Sequence, residues 1–375
     1  MTINDIRAEF PFLETGMIYL NHAATGPWPR SAERRVQQHV EGRTHGPVEI
    51  FQRTIKLISG AREMAADMIG TDPSRVAFVQ NTSEGLNILA QGLDWKSGDR
   101  ILLIEQEFPS NVYPFINLRR HGVEIDFVPQ RDGRIELADI EQALTPRTRI
   151  LAVSWVQFLS GFRLDLAALK QMCDRHGTLL SVDAIQGVGA IRLNLRETPV
   201  DFLSAGVQKW QLGPQGVGIV YVSERAQDVI RQAHLGWISV RNAWDFFDYE
   251  QELQGDARRY ENGTYNAIGI SGYHGSLELF SRVGFDRASE LVRANAAHTW
   301  RRAHERGFDV VTPESAGERA GIVTLRHERA EELQKALHER NIIVSARVGH
   351  IRISPHFYNT TDEIDAMLNV LHELS

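Results

Sequence analysis

The stretch Thr178-Leu-Leu-Ser-Val-Asp183-Ala-Ile-Gln186-Gly-Val-Gly189 decides the fold, together with a second stretch a short link later, Asp201-Phe-Leu-Ser-Ala-Gly206-Val-Gln208-Lys209-Trp-Gln-Leu-Gly213-Pro-Gln-Gly-Val-Gly218. Their two apolar runs, 178–182 and 202–205, are too short for helices and are bounded by glycines. Runs of this kind read as strands buried on both faces of a parallel sheet. Each run delivers a charged residue at or just past its carboxyl end, Asp183 after the first and Lys209 after the second. In an open α/β sheet, ligands bind in the crevice outside the carboxyl ends of the strands. An Asp and a Lys at that edge form either a plain ion pair or a more specific arrangement. In the second case the carboxylate faces a pyridine nitrogen and the amine makes a Schiff base.

The order Asp183-x-x-Gln186, second strand, Lys209, then Gly213-Pro-x-Gly-x-Gly218 resembles the fold-type I enzymes that use pyridoxal 5'-phosphate (PLP). Within them it is similar to the class V aminotransferase superfamily, which includes cysteine desulfurases, kynureninase, isopenicillin N epimerase-like proteins and several C–S lyases. The resemblance implies an α/β fold with a mostly parallel seven-stranded sheet flanked by helices and a smaller α+β C-terminal domain. It implies a large PLP-binding domain over 15–265, with 1–14 and 266–375 forming the small one. It makes Lys209 the Schiff-base lysine and Cα acid–base group, and Asp183 the partner of the pyridine nitrogen. Gln186 would hydrogen-bond the ring O3' oxygen, and Gln208 would lie beside the cofactor.

Moving outward, Arg75-Val-Ala-Phe-Val-Gln80 reads as a strand leading into Asn81-Thr82-Ser83-Glu84-Gly85 and a helix. Free amides at a helix N-terminus, with two hydroxyls beside them, can hold a phosphate dianion. The plain alternative is an N-cap by Thr82 or Ser83; the resemblance favours the cofactor phosphate. Ile101–Ile104 is a strand followed by Phe108-Pro109, similar to the Phe-Pro element of kynureninase, where a ring stacks on the PLP pyridine. Strands at 123–128 and 148–154 enclose a helix at 137–144. Near the end of the second of these the desulfurases hold substrate carboxylate with an Asn; this chain offers Gln157 or Phe158 there. Tyr19-Leu-Asn21-His22-Ala-Ala resembles the segment at the family's active-site mouth, which places Asn21 and His22 among the substrate contacts. Arg258-Arg-Tyr-Glu261-Asn-Gly-Thr264 resembles a segment whose Thr reaches the PLP phosphate of the neighbouring subunit, which implies a homodimer with shared sites. Arg352-Ile-Ser-Pro-His-Phe-Tyr-Asn-Thr matches the carboxylate-binding arginine, whose planar fork suits a carboxylate.

The bulk numbers fit this reading. The chain has 375 residues, 42% hydrophobic and 24% charged, long enough for a large domain and a smaller one. Its 41 basic and 48 acidic residues give a net charge of −7 with no basic run, which argues against nucleic acid as a partner. No apolar stretch approaches the length of a membrane span and no signal peptide is visible. With a single cysteine, Cys173, an internal disulfide is excluded and a reducing, cytoplasmic setting is expected. No metal site is expected.

Two departures bear on activity. The segment Ser345-Ala-Arg347-Val-Gly-His350 lacks the cysteine that desulfurases place before the arginine. Persulfide chemistry needs such a thiolate. Where many relatives have Ser-x-His-Lys, this chain has Gly206-Val-Gln208-Lys209, and a neutral Gln cannot shuttle a proton. The expected reaction is therefore transamination or epimerisation at Cα of an α-amino acid. A C–S or C–C lyase is the first alternative, and a PLP-binding protein without turnover the second.

Overall fold

The computed structural model describes residues 1–49 and 51–375. Thirteen strands occur among them. They are β1 (Ile18–Tyr19), β2 (Val76–Val79), β3 (Arg100–Ile104), β4 (Glu124–Val128), β5 (Thr148–Ser154), β6 (Leu179–Asp183), β7 (Phe202–Gly206), β8 (Gly218–Val222), β9 (Asp309–Val310), β10 (Val323–Arg326), β11 (Ile342–Ile343), β12 (Ser345–Arg347) and β13 (His350–Ile353). Seven form the large sheet in the order β2-β8-β7-β6-β5-β3-β4. Its pairs are parallel except those of β8, which runs antiparallel to both β2 and β7.

The continuous apolar runs follow from burial on both faces. Successive side chains of a strand point to opposite sides. Leu102 and Ile104 enter one core while Ile101 and Leu103 enter the other, and β6 divides likewise, with Leu180 and Val182 opposite Leu179. A polar residue at either alternation would be buried, so neither face alternates hydrophobic with polar.

A second, four-stranded antiparallel sheet, β12-β13-β10-β9, forms the small domain with its own core. The expected domain limits shift at both ends. β1 pairs with β11, Asn21 bridges Ser354, and Leu20 sits in the small-domain core, so contacts to that domain continue past residue 14, while Ile6 and Phe10 of the same arm pack in the large core. Helix Ala267–Val283 buries Ile270, Tyr273, Leu277 and Phe280 in the large core, so that core extends past residue 265. Helix Phe285–Glu305 joins the two, giving Ala288 and Val292 to one core and Ala296 and Ala303 to the other.

Candidate active site

The carboxyl ends of the parallel strands converge on one edge of the large sheet, where the small-domain sheet meets it. Asp183 is the last residue of β6, 2% exposed, and accepts from the Ile185 amide at 3.0 Å. Burial pushes its carboxyl pKa up. The Ile185 amide opposes that shift, the Glu107 charge adds to it, and Lys209 opposes it. Lys209 lies just past β7 in a turn and has no hydrogen-bond or ion-pair partner among the described residues. Burial lowers its amine to about 8, against the pull of Asp183, with Arg352 and Arg347 adding to the fall. The Lys209 Nζ lies 5.4 Å from the centroid of the Phe108 ring, which stands edge-on to Phe158.

The phosphate-like corner is built at the end of β2. Asn81 caps helix Thr82–Gly92, its Oδ1 accepting from the Glu84 amide at 2.9 Å, so neither Thr82 nor Ser83 serves as the cap. Thr82 Oγ1 accepts from the Gly206 amide at 2.8 Å, and Ser83 Oγ donates to Ser110 Oγ at 3.0 Å. A Cβ on Gly85 would lie 2.2 Å from Ser204 Oγ, so only glycine lets the first turn of the helix sit against β7. The free amides of that turn and the hydroxyls around it form an anion-binding corner.

Arg352, in the middle of β13, is 2% exposed. Its Nη1 donates to the Phe158 carbonyl at 2.7 Å, while Nε and Nη2 are buried without a partner. Burial lowers its pKa to about 10, with Arg347 adding and Tyr19 opposing, so it remains charged at neutral pH. Asn21 has a buried Oδ1 without a partner. Gln208 is half-buried beside Lys209, and its side chain makes no hydrogen bond among the described residues. Its carbonyl accepts from the Gly26 amide at 2.8 Å.

Three of the expected contact residues have partners within the protein. His22 is fully buried, with Nδ1 at 2.8 Å from the Ser354 carbonyl and Nε2 at 2.6 Å from the Tyr358 hydroxyl. Burial, helped by His356, pushes its pKa well below the usual range, so it is a neutral core histidine and not a substrate contact. Gln157 is 1% exposed and donates from its amide to Glu107 at 2.9 Å, with its carbonyl 3.3 Å from Gln130 Nε2, so only one buried amide hydrogen is left. Gln186 accepts from Trp210 Nε1 at 2.8 Å and donates to the Ala23 carbonyl at 3.0 Å. One amide hydrogen remains for any contact with a ring oxygen.

Glu107 is a residue that sequence reasoning passed over. It lies just past β3, is 7% exposed, and accepts from Ser154 N at 2.7 Å, Ser154 Oγ at 2.5 Å and Gln157 Nε2 at 2.9 Å. Burial raises its pKa against these donors. It ties the loop after β5 to the end of β3, and that loop carries the Phe158 carbonyl that seats Arg352. An acidic residue within three positions of a buried strand's end, just before Phe108-Pro109, was the available signal.

Thr264 is exposed, on a segment fixed by Glu261. Glu261 is buried and makes a two-point contact with Arg62, at 2.6 and 3.1 Å, and accepts from the Phe78 amide at 2.7 Å. Thr264 lines an open surface cavity with Gln80, Glu84 and Asn262.

These residues fit PLP. Asp183 is a buried carboxylate for which Lys209 is the one nearby cation among the described residues, and a pyridinium N–H would match it. Lys209 is an unpartnered amine of low proton affinity. Phe108 offers a ring face beside it, and the Thr82–Ser83 corner offers donors to a dianion. No group of three or more His, Cys, Asp or Glu placed to hold a metal occurs among the described residues.

Comparison with known proteins places the chain. A family model described as Aminotransferase class-V matches residues 18–367. The uncharacterized aminotransferase YcbU of Bacillus subtilis is 27% identical, covering 96% of this chain and 94% of its own length. Isopenicillin N epimerase of Amycolatopsis lactamdurans is 28% identical, covering 97% of this chain and 96% of its own. The solved complex of the cystine C–S lyase C-DES with its product cysteine persulfide is 25% identical. It superposes with a TM-score of 0.87 and covers 97% of this chain and 99% of its own.

Proposed function

We propose, from the premise that the chain belongs to the class V aminotransferase family, that this PLP-dependent enzyme acts at Cα of an α-amino acid and carries out transamination or epimerisation. The observation that carries the reading is Arg352: a buried, charged guanidinium with two donors left open, beside an amine that is also unpartnered. An unsatisfied buried charge is costly unless a ligand completes it. A substrate α-carboxylate does so bidentately.

Bound PLP supplies an electron sink for the electron pair left when the Cα–H bond breaks. The residues of this chain do the rest. Arg352 fixes the carboxylate and thereby aims the Cα–H bond. Lys209 removes the Cα proton as the neutral amine, which its lowered proton affinity makes available near neutral pH. Asp183 is ionised when a pyridinium N–H faces it and holds that proton in place. Phe108, whose ring lies beside Lys209, would offer one face to the cofactor ring. Return of that proton by Lys209 to the cofactor carbon would give transamination, whereas epimerisation would need a proton delivered to Cα from the face opposite Lys209.

A C–S or C–C lyase is the second reading, favoured by the likeness to C-DES and by the same Cα chemistry with a leaving group at Cβ. A persulfide-forming desulfurase is disfavoured: Cys173 lies in the core on helix Leu166–His176, and burial pushes its thiol up to about 12. A PLP-binding role without turnover is disfavoured by the open donors of Arg352 and the free amine of Lys209. The shared-site homodimer, with Thr264 facing the partner's phosphate, belongs to the same reading, as does the reducing cytoplasmic setting suggested by the lone buried thiol. No helix among the described residues is long and apolar enough to cross a membrane.

The test is deuterium uptake at Cα from heavy water by the PLP-loaded protein across a panel of amino acids, with the products identified by mass. We expect exchange that Lys209→Ala abolishes, with an oxo acid or the opposite enantiomer as product. Exchange accompanied by ammonia and a released thiol would establish the lyase instead. No exchange with any amino acid would refute catalysis at Cα.

A further inference from the structure

We propose that Arg347 forms with Arg352 a two-cation face that selects amino acids carrying a second anionic group on the side chain. This deepens the function proposed above and rests on Arg352 as the anchor of the α-carboxylate.

β12 and β13 are antiparallel, with Ser345 opposite Arg352 and Arg347 opposite His350. Residues two apart on a strand share a face. Ser345, Arg347, His350 and Arg352 therefore lie on one face of the hairpin. On the next strand, Thr324 and Arg326 sit opposite Arg352 and His350 and continue that face. It is the face turned to the large domain, since Thr324 Oγ1 donates to the Leu159 carbonyl and Arg352 Nη1 to the Phe158 carbonyl.

Three arginines thus stand on one surface, and their pairing differs. Arg326 has Asp309 at 3.2 Å and Asp132 at 3.5 Å. Arg352 has one carbonyl and two open donors. Arg347 has no acidic partner and no hydrogen bond from its side chain among the described residues. Arg347 and Arg352 are diagonal neighbours across the strand pair, about 7–8 Å apart, within reach for long side chains. Two like charges repel at this distance, and an anion between them would offset that repulsion. Arg347 also acts on the site itself, its charge lowering the proton affinity of both Lys209 and Arg352.

The hairpin fixes the backbone that carries this exposed arginine. Its two turn residues, Val348 and Gly349, both have positive φ, 49° and 69°. That is the tight two-residue turn whose twist suits a strand pair. Ser345, opposite Arg352, adds a buried hydroxyl without a partner. An amino acid whose α-carboxylate takes Arg352 and whose side chain ends in a carboxylate, sulfonate or phosphate completes both cations. A neutral side chain leaves Arg347 unmatched.

The alternative is an ordinary solvated arginine, and binding separates the two. Glutarate and butyrate differ by one terminal carboxylate and need no cofactor chemistry, so their affinities for the PLP-loaded protein are compared by calorimetry. We expect glutarate to bind at least about tenfold tighter, a gap of about 1.4 kcal/mol. Arg347→Gln should bring glutarate to the level of butyrate while leaving butyrate unchanged. Equal affinities in the parent, or a glutarate preference that survives Arg347→Gln, would overturn the proposal. Arg352→Gln tests the underlying reading separately: it should abolish binding of both acids, and undiminished butyrate binding would remove Arg352 as the anchor.

Discussion

The proposed chemistry turns on the proton affinity of one amine. Burial lowers Lys209 to about 8, so its neutral fraction grows as pH rises through that value, well below the ordinary lysine range. The rate at which the cofactor-free protein takes up PLP covalently should therefore climb with pH and level off above about 8. Rapid-mixing absorbance across pH 6–10 checks this (~4 units bracketing the shifted value). A rate still rising steeply at the top of that range would mean that the amine is not buried against cationic neighbours. Asp183 and Lys209 were legible from the sequence because Asp183 ends one short apolar run and Lys209 follows the next within a few residues. His22 was not, because what buries it, Ser354 and Tyr358, lies more than 330 positions away in the chain. A histidine in a Gly-Pro-rich turn carries no sign of such distant partners.

At the scale of elements, the strands and helices of the large sheet were readable, since both faces are buried and the apolar runs are continuous. Connections between strand ends were less so. Glu107 makes its bonds to Ser154 and Gln157, about fifty positions on, and Gln157 is drawn into that contact and away from substrate. The segment carrying Thr264 is likewise held by an ion pair distant in sequence, between Arg62 and Glu261. Both partners are nearly fully buried, so removing one leaves an uncompensated charge, typically a loss of about 3–5 kcal/mol. Glu261→Gln, which keeps size and one acceptor, should cost about 3 kcal/mol in urea unfolding. By contrast, Glu252→Gln, which removes the exposed pair with Arg241, should leave the midpoint where it was. Equal effects would show that the Arg62–Glu261 contact is no more than a surface pair.

For the whole molecule, the small domain contributes Arg352 and Arg347 and the large one Lys209 and Asp183, so the site exists only where the two sheets meet. The sequence placed the division near residues 15 and 265. It missed that β1 pairs with β11 and that helix Ala267–Val283 packs in the large core, because both depend on contacts between distant segments. A second level of assembly rests on Thr264. If its hydroxyl meets the phosphate of a neighbouring copy, that charge-assisted bond is worth about 1.5–3 kcal/mol. Thr264→Val should then weaken PLP retention roughly tenfold or more. PLP removal should also ease dissociation of the dimer in sedimentation experiments. A monomeric loaded protein, or unchanged retention in the variant, would show that each site is complete in one chain.

All of this hangs on which lysine carries PLP. Reduction of the loaded protein with borohydride, then peptide mapping, should place the pyridoxyl group on Lys209, and Lys209→Ala should carry no trapped label. Label on Lys170 or Lys335 in its place would contradict the account at its centre.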